Sequence, residues 1–303
     1  MPKEKLLIGA SSAPNVLFIG NGLLQLGGGG NWSSLLNKIN PKPDYTIDLV
    51  GVPYAMQPEA LCGVDVEEVQ RKTSASIEDG NAHILLRKVL QLPFDAIITT
   101  NYTYEIETVL SDNVWNEKER RKAFFALDGK SHVRHNTSVC NLIQCRNGRK
   151  IPVFHAHGER LRKHSLILSY YSYANSVSRL VSLNKQRGNT YQEHQEANES
   201  IECLSWLDYF LLGNVYSIGF GFDTSEFDIW WAIERKAREK ARHGKLHAYM
   251  IVNDERPSPI DKLFQAMDVM CHHVIKIADY SAAYQEVYEK ICDMMQESGI
   301  HHE

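Results

Sequence analysis

Four apolar strands, each ended by glycine, asparagine or histidine, constrain the fold of this chain more than any other feature. They run into Gly20-Asn21-Gly22, Asn101, His157-Gly158 and Gly219-Phe220-Gly221. Glycine permits tight turns and the close approach of a backbone to a ligand. Open α/β sheets bind ligands in the crevice at the carboxyl ends of their parallel strands. The pattern therefore predicts that the four strand ends line one crevice.

Strands alternate with helices along most of the chain. The predicted strands are 15–19, 95–99, 151–155, 214–219, 246–252 and 272–277. The predicted helices are 32–39, 77–90, 224–243, 258–267 and 280–297, with another beginning near residue 103. This alternation predicts an α/β fold, a Rossmann-like doubly wound parallel sheet.

Three stretches interrupt the alternation. A mostly helical insertion is predicted at about 170–212, within a single domain that covers residues 1–303. Residues 165–169, Ser-Leu-Ile-Leu-Ser, are predicted as a further short strand because they are apolar and flanked by serine. Residues 111–150 are strongly charged, and their pattern predicts no element.

The bulk properties exclude several classes of protein. A hydrophobic content of 43% and a charged content of 23% are typical of a globular chain. The net charge of -4 supplies no basic field for nucleic acid, and no apolar run approaches the ~20 residues that span a bilayer. The six cysteines are scattered, and the first residues lack the apolar stretch of a signal peptide. We therefore expect reduced thiols, a cytoplasmic location, no membrane contact and no direct nucleic-acid binding.

Two polar residues at the strand ends are candidates for catalysis. The imidazole of His157 titrates near neutrality and suits acid–base chemistry, with Gly158 leaving room for a substrate; the alternative is a satisfied core histidine. Asn101 can hold a ribose hydroxyl or a water; the alternative is a helix N-cap. His155 is expected on the same strand face as His157 if the strand continues.

Other strand-end residues are candidates for nucleotide binding. The amides of Gly20 and Gly22 can face a pyrophosphate, or the glycines can simply form a tight turn. Asp228 can order a ribose, or it can be an acidic residue favoured by the dipole of the helix that it begins. The run Cys271-His272-His273 is predicted to pack in a buried strand.

A zinc site is not predicted. His132, His135, Cys140 and Cys145 are the nearest approach to one, but the chain holds no C-x2-C pair.

Taken in order, these segments resemble the sirtuin superfamily, and more narrowly the zinc-less bacterial sirtuin-like NAD-hydrolase domains of anti-phage defence systems. Ile19-Gly20-Asn21-Gly22 and the later Trp32-Ser33-Ser34-Leu35-Leu36 are similar to the glycine loop and W-x-x-L-L helix of that family. Thr99-Thr100-Asn101 is similar to its T-x-N motif, and His157-Gly158 to its H-G motif. Gly219-Phe220-Gly221 with Asp228 is similar to its late glycine/acid motif.

The resemblance implies cleavage of NAD+ to nicotinamide and ADP-ribose, without a metal. It implies that His157 and Asn101 are catalytic, and that NAD is bound by Gly20, Asn21, Gly22, Thr100, Gly219, Phe220 and Asp228. It also implies an abortive-infection effector that is a homo-oligomer, with a possible partner such as a HerA-type ATPase or a phage sensor. An NAD-dependent protein deacylase and a non-catalytic subunit that binds NAD or ADP-ribose are the alternatives; the missing paired-cysteine zinc ribbon weakens the first of them.

Overall fold

The computed structural model describes residues 5–41, 48–127, 135–239, 244–254, 256–277 and 279–297. The strands are β1 Leu7–Ile8, β2 Asn15–Ile19, β3 Ala96–Thr99, β4 Phe124–Ala126, β5 Val139–Gln144, β6 Lys150–His155, β7 Ile201–Glu202, β8 Asn214–Ile218, β9 Leu246–Val252 and β10 Met270–Ile275.

The helices before the middle of the chain are short. They are α1 Asn21–Leu24, α2 Trp32–Ile39, α3 Gln57–Cys62, α4 Val66–Ser76, α5 Ile84–Val89, α6 Glu105–Ser111 and α7 Glu117–Ala123. The later helices are α8 Tyr170–Arg187, α9 Thr190–Ala197, α10 Trp206–Leu212, α11 Phe227–Arg238, α12 Pro259–Ala266 and α13 Tyr280–Glu297.

Eight of the described strands form one sheet in the order β10-β9-β8-β2-β3-β6-β5-β4. Pairing is parallel from β10 to β6, whereas β5 and β4 are added antiparallel at one edge. Strands β1 and β7 form a separate antiparallel pair. The predicted Rossmann-like α/β sheet is confirmed.

Helices cover both faces of the sheet because its central strands are apolar on both sides. On one face of β2, Val16 and Phe18 share a core cluster with residues of α8 to α12, including Leu180, Tyr191, Phe210, Ile229 and Phe264. On the other face, Leu17 and Ile19 pack with residues of α1, α5, α6 and α13, including Leu23, Leu86, Ile106 and Val287.

The predicted elements match the structure best where the apolar pattern is longest. The bounds of β2, β9, α2 and α13 agree with the predicted ranges, and those of β3, β6, β8, β10 and α12 differ from theirs by one or two residues. The helix predicted at 77–90 begins only at Ile84. The helix predicted at 224–243 corresponds to α11, Phe227–Arg238. Residues 240–243 of the predicted range lie outside the described residues. The charged stretch 111–150 contains α7, β4 and β5.

The strand predicted at 165–169 is wrong. A 3-10 turn at Lys163–Ser165 leads into an extended segment that joins no sheet. Its backbone is bonded elsewhere: Gln70 Nε2 donates to Leu166 O at 2.8 Å, and Ile167 N donates to His157 O at 2.8 Å. Leu166 and Leu168 pack with Val69 of α4. Apolar composition alone did not distinguish a sheet strand from this buried connection.

Residues 170–212 consist of α8, α9 and α10 with the two-residue strand β7 between them. Their apolar side chains belong to the core cluster that also contains Val16 and Phe18 of the central strand. The segment therefore packs as part of one face of the sheet. No helix in the described part of the chain has the length and apolar character needed to cross a membrane.

Candidate functional site

The four strand ends predicted to line one crevice lie at one edge of the sheet. Strands β8, β2, β3 and β6 are neighbours in that order, and all pair parallel. Ile19 pairs with Thr99 and Ile218, and Thr99 pairs with His155. The next residue of each strand therefore enters the same carboxyl edge. The structure brings the loops that carry Gly20, Asn101, His157 and Gly219 to this edge.

His157 lies in the turn after β6 and faces two carboxylates. Its side chain is 2% exposed. Nε2 lies 3.1 Å from Asp228 Oδ1, and Nδ1 lies 3.4 Å from Glu226 Oε2. The ring of Tyr173 packs edge-on against the imidazole, with 5.3 Å between centroids. The imidazole is thus held between the start of α11 and the first turn of α8.

The carboxylates are themselves oriented by hydrogen bonds. Asp228 is completely buried; Oδ2 accepts from Ser176 Oγ at 2.8 Å, and Oδ1 accepts from Ile229 N at 3.0 Å. Tyr173 Oη donates to Glu226 Oε2 at 3.0 Å. Asp228 lies in the first turn of α11, as an acidic residue favoured there would. Its partners make it an orienting group for His157.

The charge of this cluster keeps the imidazole protonated at neutral pH. Burial acts to lower the pKa of His157, but the Asp228 and Glu226 carboxylates outweigh it and raise that pKa to about 9. Burial raises the pKa of Glu226, although His157 opposes the shift. His157, Glu226 and Asp228 also offer three ligand atoms within 4.8 Å of one another, a set that could hold a divalent cation.

Asn101 is a buried residue with an unused donor. It is 6% exposed, and its Nδ2 has no hydrogen-bond partner among the described residues. Its backbone N donates to Thr99 Oγ1 at 3.1 Å, and Thr99 Oγ1 donates to Ile19 O at 2.9 Å. Asn101 does not cap a helix, because α6 begins four residues later with Tyr104 as N-cap. A buried amide without a partner is costly, so this group is available to a ligand or a water.

His155 faces a different environment from His157, because the strand does not continue past His155 and the condition for a shared strand face is not met. The strand ends at His155, and Gly158 N donates back to His155 O at 3.0 Å. His155 Nδ1 donates to Asn101 O at 2.7 Å, and Nε2 lies 2.7 Å from Glu107 Oε1. Burial acts to lower the pKa of His155, but Glu107 and Glu159 raise it to about 9. His155 is therefore a satisfied core histidine that fixes the loop of Asn101.

The glycines of the site pack against other backbone. The amides of Gly20 and Gly22 donate to Ile218 O at 3.0 Å and to Gly219 O at 2.8 Å, so neither is free to meet a pyrophosphate. A Cβ on Gly20 would lie 2.5 Å from Gly219 O. A Cβ on Gly158 would lie 2.2 Å from Ser165 O, so the room expected for a substrate is filled by the chain itself.

Of the remaining residues predicted to bind the cofactor, some lie near the strand ends and one is buried in the core. Asn21 donates from Nδ2 to Gly30 O at 2.7 Å and holds the glycine loop, and Thr100 is half-buried beside Asn101. Phe220 is buried between Phe18 and Phe222, with 4.8 Å between centroids on each side. Phe220 therefore packs in the core. Phe222 has a left-handed backbone (φ 51), a strained conformation for a bulky residue.

The chain matches no protein-family model, and no curated protein matches it.

Sequence reasoning missed the two residues of α8 that complete the site. Tyr173 and Ser176 lie three positions apart and so share one helix face, which meets Glu226 and Asp228. Their spacing was visible, but their partners lie more than fifty positions away along the chain. Glu107 was missed for the same reason, since it meets His155 only through the packing of α6.

A cavity of about 310 Å³ lies elsewhere in the molecule. Its lining includes Arg87, Leu92 and Ile151, which lie at or before the amino-terminal ends of β3 and β6. The candidate site is at the carboxyl ends of these strands. The cavity is therefore at the opposite edge of the sheet from His157 and Asn101.

Proposed function

We propose that the chain is an NAD+ glycohydrolase that uses NAD+ and water to form nicotinamide, ADP-ribose and a proton. One observation carries the proposal: a buried His157 bonded to Asp228 shares a sheet edge with a buried Asn101 whose amide lacks a partner. The order of strand-end motifs in the sequence supports the same reaction. A Rossmann-like sheet supports nucleotide binding at this edge.

The charges of the site suit the reaction. Breaking the bond between nicotinamide and ribose leaves a ribose with oxocarbenium character, as in other glycoside cleavages. Carboxylates directed at a developing positive charge stabilise it. Glu226 has a partly exposed side chain, 21% by area, and is the carboxylate best placed to meet a ligand. Asn101 Nδ2 would donate to a ribose hydroxyl or orient the attacking water.

His157 would accept the proton released by that water or by a ribose hydroxyl. Only its neutral form can do so, and a pKa of about 9 leaves the neutral form a minor species at pH 7. The carboxylates beside His157 thus keep most of it in the protonated form, which cannot act as a base. A ligand that draws Glu226 away from the imidazole would lower the pKa of His157 and release the base.

Access to the site favours a second candidate, a non-catalytic subunit that binds NAD or ADP-ribose without turnover. The 2% exposure of His157 means that NAD+ cannot reach the imidazole unless Tyr173 or Glu226 moves. If the chain is instead the glycohydrolase, assembly into a homo-oligomer, or a partner such as a HerA-type ATPase or a phage sensor, would supply that movement. Depletion of NAD+ in an infected cell would then make the protein an abortive-infection effector.

The test is nicotinamide release from NAD+, measured by chromatography with purified protein, alone and with the products of neighbouring genes. We expect His157→Ala, which removes the proposed base, to lose activity by a factor of about 10²–10⁴. Asn101→Ala, which removes a hydrogen-bond donor, should lose about 10²–10³. The exposed residues His164 and Asn113 provide matched controls, and His164→Ala and Asn113→Ala should retain the parent rate. Thermal melts must show that all four variants fold.

The outcomes separate the candidates. Folded His157→Ala and Asn101→Ala variants with the parent rate would remove these residues from the mechanism. NAD+ consumption that requires an acyl-lysine peptide would indicate a deacylase. A parent protein that binds NAD+ by calorimetry but never cleaves it, with every partner present, would establish the non-catalytic subunit.

A further inference from the structure

A second cluster of ligand-type side chains lies at the far edge of the sheet, on α12 and the edge strand β10. Cys271 and His273 alternate along β10 and so point to the same face, where both meet Asp261 of α12. His273 Nε2 lies 3.0 Å from Asp261 Oδ1, and Cys271 Sγ lies 3.8 Å from the same oxygen. The expectation of a buried strand is wrong, because β10 is the outermost of the described strands and His273 is exposed, although Cys271 is partly buried and packs against the core as expected.

We propose that Asp261, Cys271 and His273 bind a divalent cation of the zinc class. Their three ligand atoms all lie within 4.8 Å of one another. Zinc bonds of about 2.0–2.3 Å in tetrahedral geometry separate neighbouring ligand atoms by roughly 3.3–3.6 Å. The cluster is therefore close to the required spacing, and small side-chain rotations complete it.

The donor set and its support both suit zinc. A thiolate, an imidazole and a carboxylate form a borderline-soft set, which favours Zn²⁺ over Mg²⁺ or Ca²⁺. Asp261 is already oriented, because its Oδ2 accepts from Ser258 N at 2.7 Å in the capping box that begins α12. That bond leaves Oδ1 directed at Cys271 and His273. The part-exposed side of the cluster leaves the fourth position to water.

Binding would change both the protons and the connections of this edge. The Cys271 Sγ–H bond breaks and its proton passes to solvent. The neutral His273 imidazole keeps its single proton on Nδ1, and bonds from Cys271 Sγ and His273 Nε2 to the metal form. The metal would join α12 to β10, and so hold a strand that pairs with no other described strand on its outer side. The site is independent of the proposed NAD+ chemistry, because β10 is separated from β2 by β9 and β8.

The test uses the full chain, stripped with a chelator and dialysed against Zn²⁺ or Co²⁺. We expect one equivalent of Zn²⁺ that is lost in Cys271→Ser and bound at least tenfold more weakly by His273→Gln. Co²⁺ should give a thiolate-to-metal charge-transfer band in the parent that is missing in Cys271→Ser. Cys292→Ser, which changes a half-buried thiol on α13, is the matched control and should bind as the parent does.

Two results would overturn the proposal. One is equal Zn²⁺ binding by the parent and a folded Cys271→Ser. The other is metal that is lost in Asp228→Asn but retained in Cys271→Ser, which would assign the ion to the His157 cluster. If the Cys271 variant does not fold, alkylation of the parent decides: saturating Zn²⁺ must protect Cys271 from iodoacetamide, as read by peptide mass spectrometry, and equal labelling with and without Zn²⁺ refutes the site.

Discussion

At the scale of single residues, two buried histidines two positions apart have the same charge and different tasks. His155 is bonded at both ring nitrogens, to Asn101 O and Glu107, and has no free face. His157 is bonded to Asp228 and approached by Glu226, which is part-exposed. Carboxylates raise the pKa of each to about 9. The two residues are of the same type, but their surroundings differ. His155 is therefore a charged residue with a structural role, and His157 is a candidate base.

The pH dependence of NAD+ cleavage tests the state of His157. If its neutral form is the base, kcat/KM rises with pH, about tenfold per unit, and levels near pH 9 in the parent. Asp228→Asn removes the nearest carboxylate, so the pKa of His157 falls and the plateau begins at lower pH. The measurement is the pH profile of nicotinamide release for both proteins. A plateau that stays near the same pH in Asp228→Asn would show that another group is titrating.

His155 should make folding stability depend on pH. Its pKa is about 9 when folded and about 6.5 when unfolded, so the folded state holds the extra proton between these values. The stabilisation is therefore complete below pH 6.5 and is lost as pH rises through 9. In the parent relative to His155→Gln, this change is on the order of 3 kcal/mol. Denaturant unfolding at pH 6 and pH 9.5 measures it, and the exposed His164→Gln is the control. A constant gap between parent and variant at the two pH values would contradict the assignment.

At the scale of elements, close backbone packing shapes the site edge. Three segments, after β2, β6 and β8, carry glycines whose missing side chains are replaced by neighbouring backbone. These glycines position the loops, whereas the candidate site residues Asn101, His157 and Asp228 are polar side chains near the same edge. The glycines and the polar side chains thus have separate roles. This explains why the glycine motifs predict the position of the site edge although the amides of Gly20 and Gly22 are already bonded.

Two glycines with similar φ angles provide a matched test of this packing. Gly158 (φ +92) meets Ser165 O, whereas Gly148 (φ +84) has open space around it. Gly148→Ala should lose about 1–2 kcal/mol of unfolding free energy, from its left-handed backbone alone. Gly158→Ala should lose clearly more, because the methyl group also displaces the segment after the 3-10 turn. Chemical denaturation measures the unfolding free energy of both variants. Equal losses would show that the segment after the 3-10 turn can move aside without a cost in free energy.

At the scale of the whole molecule, one core joins the later helices to the sheet. Residues 170–212 supply Leu180, Trp206 and Phe210 to the cluster around Phe18, and Phe210 packs edge-on against Phe18 with 6.0 Å between centroids. The same segment supplies Tyr173 and Ser176 to the candidate site. Stability and site geometry are therefore coupled through α8 to α10.

Deletion of 170–212 tests whether this segment is an insertion that the domain can lose. We expect a chain with these residues replaced by a short linker to show no cooperative thermal transition, because a face of the sheet becomes exposed. Phe210→Ala, a milder change, should cost about 3–5 kcal/mol and still fold. Circular dichroism melts measure both. A cooperative melt from the deleted chain would establish an independent insertion.

The sequence by itself predicted the six parallel strands and several of the helices between them, the class of the sheet and the edge at which its polar strand ends gather, but not α3, α4, α7, β4 or β5. Those features are local: apolar periodicity over a few residues specifies a strand or a helix, and parallel pairing places like ends together. Only the tertiary structure determined which side chains contact one another. It matched His157 with Asp228, Glu226 and Tyr173, matched His155 with Glu107, and set Asp261 beside Cys271 and His273. These contacts join residues ten to more than seventy positions apart, and only packing of the helices on the sheet determines them.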